Sequence, residues 1–139
     1  RLADSYDPRV YFIFEGVEAD EGIGDFGLNL RGAGGFEFDR IDRAEGTPSD
    51  ALLLASTAEP PETYYRAIEH GVGRGPHDPL VRGDMTYFER GRGGVVFSVG
   101  SITWSGSLSY RDYDNNVALI STNVLRDFMR RGSPGGSDR

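Results

Sequence analysis

Two carboxylates in the sequence have a spacing that could support acid–base chemistry. Glu37 and Asp39 lie two residues apart in residues 35–41, where apolar and charged residues alternate as in a short half-exposed strand. Side chains at this spacing point to the same face of a strand. Like charges held close together separate the pKa values of two carboxyl groups, so that one acts as an acid and the other as a base. Because Arg40 and Arg43 follow closely, a surface ladder of ion pairs is the other interpretation.

Histidines, serines and glycines give weaker signals. His70 and His77 lie in or beside a stretch rich in glycine and proline, where a catalytic base would lack rigid support. The serines between residues 98 and 109 do not match the Gly-x-Ser-x-Gly pattern of a nucleophile elbow, and we expect them to satisfy loop backbone groups. The glycine-rich stretches at 27–35 and 71–75 lack the spacing of nucleotide-binding loops.

Composition excludes several classes of protein. The 139 residues, 37% of them hydrophobic, suffice for one domain with a core. The absence of cysteine excludes disulfides, cysteine nucleophiles and thiolate metal sites. No apolar run approaches the roughly 20 residues of a membrane span, so we expect no membrane partner. The net charge is −7, with the acidic excess in residues 1–50, which opposes nucleic-acid binding.

The sequence predicts the strands and turns that must position these candidate residues. Runs of β-branched and aromatic residues predict strands, and two such runs around a short glycine turn predict a hairpin. An uninterrupted apolar run predicts a strand buried on both faces. The predicted elements are strands at residues 9–17 and 35–39, a doubly buried strand at 51–56, a mixed helix or strand at 62–70, and a hairpin of 84–90 with 94–99.

The C-terminal residues predict a helix. Apolar residues recur at helical spacing at positions 117, 120, 124, 125 and 128. Asp114 or Asn115 is the predicted N-cap, and Gly132 is the predicted stop.

Several motifs in this chain resemble those of one enzyme family. Residues 93–108 (GGVVFSVGSITWSGSL), then YDNNV at 113–117 and NVL at 123–125, are similar to the C-terminal end of the large subunit of N,N-dimethylformamidase and its relatives. Upstream, GFEFDR, EGTP and ALLLA begin at Gly35, Glu45 and Ala51 and follow in the family's order. The resemblance covers most of residues 24–130.

This resemblance implies an α/β fold. The chain would be the C-terminal part of a three-layer glutamine-amidotransferase-like domain, similar to trehalose-utilisation domains, with a terminal β-hairpin and a C-terminal helix. We therefore expect residues 1–131 to be the C-terminal portion of a dimethylformamidase-type large-subunit domain and residues 132–139 to be a disordered tail.

The resemblance also implies hydrolysis of small N-substituted formamides to an amine and formate by an iron-dependent amidohydrolase. In that family, tyrosines and a glutamate from a His-Pro-Glu-Tyr stretch hold the iron. The sequence has no such stretch, and its tyrosines match no ligand segment. We therefore expect iron in the complete enzyme, with its ligands outside this chain and the isolated chain inactive.

Two residues are the candidates for the site. The resemblance places Glu37 as an acid that faces the metal pocket, where it could take a proton from water or give one to the leaving amine. Trp104 is the substrate-binding candidate, with core packing as the other interpretation. Asp114 and Asn115 are expected to cap the helix.

We further expect partners for this chain. These are the upstream part of the large subunit, a small subunit and a small amide substrate, in an oligomer in the cytoplasm. The alternative function is a non-catalytic glutamine-amidotransferase-like module for structure or subunit contacts.

Overall fold

The computed structural model describes residues 1–28, 32–57, 59–67 and 73–132. Its centre is an antiparallel sheet of β1 (Leu52–Ser56), β2 (Asp84–Arg90) and β3 (Gly94–Ser98), in the order β1-β2-β3. Within these ranges α1 (Asn116–Arg131) is the α-helix. Short 3-10 segments lie at Ala3–Tyr6, Tyr11–Phe14, Gly32–Gly34, Gly75–His77, Gly91–Gly93, Ile102–Ser107 and Tyr110–Tyr113.

The predicted hairpin is confirmed. β2 and β3 pair in register from Thr86 opposite Ser98 to Arg90 opposite Gly94. The connecting Gly93 has a φ of 78°, a left-handed conformation that glycine adopts without steric cost. The hairpin was predictable because its signals, two β-rich runs and a glycine turn, are all local.

β1 is confirmed as a strand, but the prediction that both its faces are buried is wrong. Leu52 and Leu54 are buried, whereas Leu53 between them is half-buried. β1 lies at one edge of the sheet, and the N-terminal segment covers that edge: the Leu2 amide donates to the Leu54 carbonyl at 2.8 Å, and Asp4 accepts from the Leu53 amide at 2.9 Å. The apolar run of β1 is thus explained by packing on one face of the sheet and by the N-terminal segment along its edge.

The predicted strand at residues 9–17 is wrong. The chain there forms successive turns around the 3-10 segment Tyr11–Phe14, with the Ile13 amide bonded to the Val10 carbonyl and the Val17 amide to the Phe14 carbonyl. Val10, Ile13, Phe14 and Val17 are all buried. Their spacing of three, four and seven residues is helical, and this period outweighs the β propensity of the individual residues.

The predicted C-terminal helix is confirmed, and Asn115 rather than Asp114 is its N-cap. The Asn115 side chain accepts a hydrogen bond from the Ala118 amide at 2.9 Å. At the other end the Gly132 amide donates to the Phe128 carbonyl at 3.0 Å. The helix therefore begins and ends where local capping chemistry places it.

The core lies between one face of the sheet and a layer made of α1 and residues 10–17. Its fully buried members include Ile13, Leu54, Tyr87 and Ile120. Phe12 packs edge-on against Tyr87, with ring centroids 6.3 Å apart. The α/β class, with a terminal hairpin followed by a C-terminal helix, is confirmed.

Two predicted segments extend outside the described residues. Of the mixed element predicted at 62–70, the described part contains a turn and an antiparallel bridge between Tyr65 and Arg74. His70 and residues 133–139 of the predicted tail lie outside the described residues. None of the helices in the described ranges has the length and apolar character needed to cross a bilayer.

The buried Tyr87 predicts an alkaline transition in stability. Its side chain is fully buried, its hydroxyl donates to Glu89 at 3.3 Å, and burial raises its pKa from 10.0 to about 12. Above pH 10 the unfolded chain loses this proton while the folded chain retains it, so folding stability falls as pH rises towards 12. We expect the wild type to lose about 2 kcal/mol more than Tyr87→Phe between pH 9 and 12.

Guanidinium unfolding followed by the fluorescence of Trp104, the single tryptophan, measures this difference. Tyr113→Phe is the control, since Tyr113 is 67% exposed. Parallel stability profiles for the wild type and Tyr87→Phe would contradict the prediction.

Candidate functional site

The segment that carries Glu37 is an irregular loop, and the predicted strand at 35–39 is wrong. We call residues 33–41 the Glu37 loop. A single antiparallel bridge joins Phe38 to Ser101, and Glu37 itself has a φ of 48°. A glutamate in the left-handed region costs roughly 1 kcal/mol, which the surrounding contacts must offset. Since no strand runs through Glu37, the alternation of residue types does not place Glu37 and Asp39 on one face of a sheet.

Glu37 and Asp39 both lie exposed on this loop. Within the described part of the chain, the Glu37 carboxylate makes no hydrogen bond or ion pair. The arginines of the alternative ion-pair ladder bind elsewhere: Arg40 pairs with Asp42 at 2.8 Å, and Arg43 donates to the Ala51 carbonyl at 3.0 Å. The hydrogen bond from Arg40 lowers the pKa of Asp42.

The buried Asp84 anchors the far end of the Glu37 loop. Its carboxylate accepts from the Ser56 hydroxyl at 2.7 Å, the Ile41 amide at 2.9 Å and Arg82 Nε at 3.0 Å. Its own amide donates to the Asp39 carbonyl at 2.8 Å. Sequence reasoning missed this role, although a charged residue at the start of an apolar strand was a usable signal.

Serine and threonine hydroxyls anchor the near end of the loop. Ser101 donates to the Phe36 carbonyl at 2.6 Å, and Thr103 accepts from the Gly35 amide at 2.8 Å. Ser107 likewise donates to the Phe26 carbonyl at 2.7 Å. The prediction that the clustered serines satisfy loop backbone groups is therefore confirmed at these positions.

A cavity of about 500 Å³ lies beside the Glu37 loop. Its lining combines the apolar side chains of Phe38, Met85, Val99 and Trp104 with the charged side chains of Arg1, Glu21 and Asp25. Glu21 is held in place by Asn116, whose amide donates to it at 2.6 Å. A cavity with this lining can accommodate a small polar molecule that carries apolar groups.

Trp104 both packs and lines this cavity. The half-buried indole lies against the core, and its Nε1 donates to Ser121 Oγ at 3.0 Å. Ser121 in turn donates to the Val117 carbonyl at 2.7 Å. This chain of hydrogen bonds fixes the indole against α1.

Other candidates fall outside this region. His77 is exposed and lies 3.1 Å from Glu62, while His70 is outside the described residues. Tyr110 stacks on Phe26, with ring centroids 4.6 Å apart. Neither His77 nor Tyr110 forms part of the cavity wall.

The described residues do not fit the iron site that the resemblance implies. Residues 1–28, 32–57, 59–67 and 73–132 contain no group of three histidine, aspartate or glutamate side chains placed to hold a metal. Tyr87 and Glu89 bring a phenol and a carboxylate together, but Arg131 lies 3.6 Å from the same carboxylate. Burial also raises the pKa of Tyr87 to about 12, which opposes the phenolate that binds a metal.

Comparison of the chain with known proteins identifies its family. A family model described as "N,N-dimethylformamidase beta subunit-like, C-terminal" matches residues 2–116. The chain is 47% identical over 135 residues to the N,N-dimethylformamidase beta subunit of Alcaligenes sp and 45% identical to that of Paracoccus aminophilus. Each match covers 94% of this chain and 18% of the relative, so the chain spans about a fifth of the length of either protein. The chain therefore belongs to the N,N-dimethylformamidase beta subunit-like, C-terminal family.

Proposed function

We propose that this chain is the C-terminal part of the large subunit of an amidohydrolase that hydrolyses small N-substituted formamides. The observation that carries this proposal is the 47% identity to an N,N-dimethylformamidase beta subunit over 94% of the chain. In the reaction, water adds to the formamide carbonyl and the carbon–nitrogen bond breaks. The nitrogen takes a proton to leave as the amine, and the carbonyl carbon leaves as formate.

The iron of the complete enzyme would be held outside these residues. The family resemblance supports this part of the proposal, since the His-Pro-Glu-Tyr stretch that supplies the iron-binding glutamate in that family does not occur in this sequence. The beta-subunit name of the relatives implies an assembly with other subunits, and we propose that this chain contacts them and the upstream part of the large subunit in an oligomer.

Glu37 is the residue of this chain that we propose for proton transfer. Its carboxylate is exposed and has no partner among the described residues, and its backbone is held in a costly conformation. Strained, exposed and chemically competent positions are typical of functional sites. The carboxylate would take a proton from the attacking water or give one to the departing nitrogen.

Replacement of this carboxylate tests the role directly. Glu37→Gln in the complete enzyme should lower kcat for N,N-dimethylformamide by roughly 100-fold or more, because an amide cannot transfer the proton. Glu45→Gln is the matched control, since Glu45 is also exposed and lies on the turn that follows the loop. Unchanged turnover in Glu37→Gln with unchanged folding would remove Glu37 from the mechanism.

Trp104 is proposed to line the pocket for the N-alkyl groups of the substrate. Trp104→Phe and Ser121→Ala each remove the hydrogen bond between the indole and Ser121, and each should cost about 1 kcal/mol of stability. Only Trp104→Phe changes the cavity wall, so only this variant should raise KM, by roughly 5-fold or more. Equal KM values in the two variants would limit Trp104 to packing.

Metal analysis distinguishes this function from a non-catalytic module. The complete large subunit with its partners should contain iron, and the 139-residue chain on its own should bind none in stoichiometric amount. Elemental analysis of both proteins after identical purification makes the comparison, with Glu37→Gln as a control that should retain the iron. Stoichiometric iron on the short chain would contradict the placement of the ligands elsewhere. A complete protein without iron or amidase activity would favour the structural module.

A further inference from the structure

Two neighbouring hydroxyls lie buried beneath the Glu37 loop. Ser101 is 7% exposed and Thr103 is 5% exposed, and their oxygens are 3.0 Å apart. Ser101 begins the 3-10 segment Ile102–Ser107 as its N-cap, so its position is fixed by that turn. The two side chains face the loop across a separation of more than 60 residues in sequence.

The two hydroxyls satisfy four backbone groups of the loop. Ser101 Oγ donates to the Phe36 carbonyl at 2.6 Å and accepts from the Phe36 amide at 3.4 Å. Thr103 Oγ1 accepts from the Gly35 amide at 2.8 Å and donates to the Ala33 carbonyl at 3.1 Å. Each hydroxyl has one proton, so both protons are committed to loop carbonyls. The pair therefore binds the loop backbone at three residues, Ala33, Gly35 and Phe36.

These contacts end one residue before Glu37. On its other side, the Asp39 amide donates to the Gly100 carbonyl at 3.0 Å, and Phe38 forms a bridge with Ser101. Gly100 must be glycine for this approach, because a Cβ there would lie 2.5 Å from the Asp84 amide nitrogen. Glu37 is thus bracketed on both sides while its own side chain stays exposed.

Hydroxyls allow a conformation that strand pairing would forbid. A neighbouring strand would hold residues 35–39 in the β region, with Glu37 at a negative φ. Side-chain hydroxyls satisfy the same amides and carbonyls and leave Glu37 at a φ of 48°. The direction of the Glu37 side chain therefore depends on Ser101 and Thr103.

We infer that Ser101 and Thr103 are positioning residues that hold the Glu37 carboxylate in its reacting direction. This inference rests on the proposed function of Glu37. Both residues are buried and neither lines the cavity, so both would act through the loop backbone. Their removal should impair the proton-transfer step and spare substrate binding.

The test uses the complete enzyme with N,N-dimethylformamide as substrate. Ser101→Ala and Thr103→Val should each lower kcat per folded enzyme by about 10-fold or more with little change in KM, because Glu37 loses its alignment. Thr103→Ser keeps the hydroxyl and should restore kcat. Ser105→Ala is the matched control, since Ser105 is exposed on the same 3-10 segment and its hydroxyl, among the described residues, bonds only to the nearby Ile102 carbonyl. Unchanged kcat in both Ser101→Ala and Thr103→Val would overturn the inference.

A double-mutant cycle separates positioning from general destabilisation. If Ser101 acts through Glu37, then Ser101→Ala should lower kcat little further in the Glu37→Gln background. Full additivity of the two effects would overturn the inference, because it would show independent actions.

Hydrogen exchange separates this inference from the proposed function. Exchange of the Gly35 and Phe36 amides should accelerate in Thr103→Val and Ser101→Ala and stay unchanged in Ser105→Ala. Unaltered exchange would overturn the inference that Ser101 and Thr103 hold the loop, even if Glu37→Gln is inactive. Full activity of Glu37→Gln would instead overturn the proposed role of Glu37 in proton transfer, whatever the exchange shows.

Discussion

The main constraint on this fold is that most of the described chain lies outside its strands and α-helix. Backbone amides and carbonyls that are buried without hydrogen bonds are costly, so irregular segments need side-chain partners. Polar side chains supply them throughout: Asp4 binds the β1 edge, Asp84 binds the Glu37 loop, and Asn123 donates to the Ile13 and Glu15 carbonyls. Removal of one such side chain leaves buried backbone groups unpaired. The conformation of an irregular segment therefore depends on side chains from distant parts of the sequence.

The success of several sequence predictions followed the range of the interactions that decide them. The hairpin and α1 were predicted correctly because glycine turns, Asn115 capping and apolar periodicity act within a few residues. The strand at residues 35–39 was wrong because its backbone partners, Ser101 and Thr103, lie more than 60 residues away. The strand at 9–17 was wrong for another reason, since β propensity was given more weight than the helical spacing of Val10, Ile13, Phe14 and Val17.

The candidate site was predictable only in part. Glu37 and Trp104 were singled out by the family resemblance, and the structure brings the Glu37 loop and Trp104 to the same region through Phe38, which lines the cavity together with the indole. The left-handed conformation of Glu37 had no sequence signal, because φ depends on the contacts at both ends of the loop. The serines were expected to bind loop backbone groups, but the sequence did not indicate that Ser101, Thr103 and Asp84 hold the Glu37 loop, because these partners lie more than 40 residues apart.

A second loop also has exposed residues in a left-handed conformation that polar side chains hold. Arg111, Asp112 and Tyr113 have φ values of 50°, 54° and 70°, three successive left-handed residues that are all exposed. Asn115 holds this turn, because its amide donates to the Leu108 and Tyr110 carbonyls at 3.0 and 2.7 Å while its oxygen caps α1. In both loops a polar side chain next to a regular element sets an unfavourable backbone conformation and leaves the strained residues facing outwards. The hydrogen bonds of the anchoring side chains offset the cost of this backbone strain. The geometry of each exposed loop therefore depends on side chains that lie beneath it or beside it.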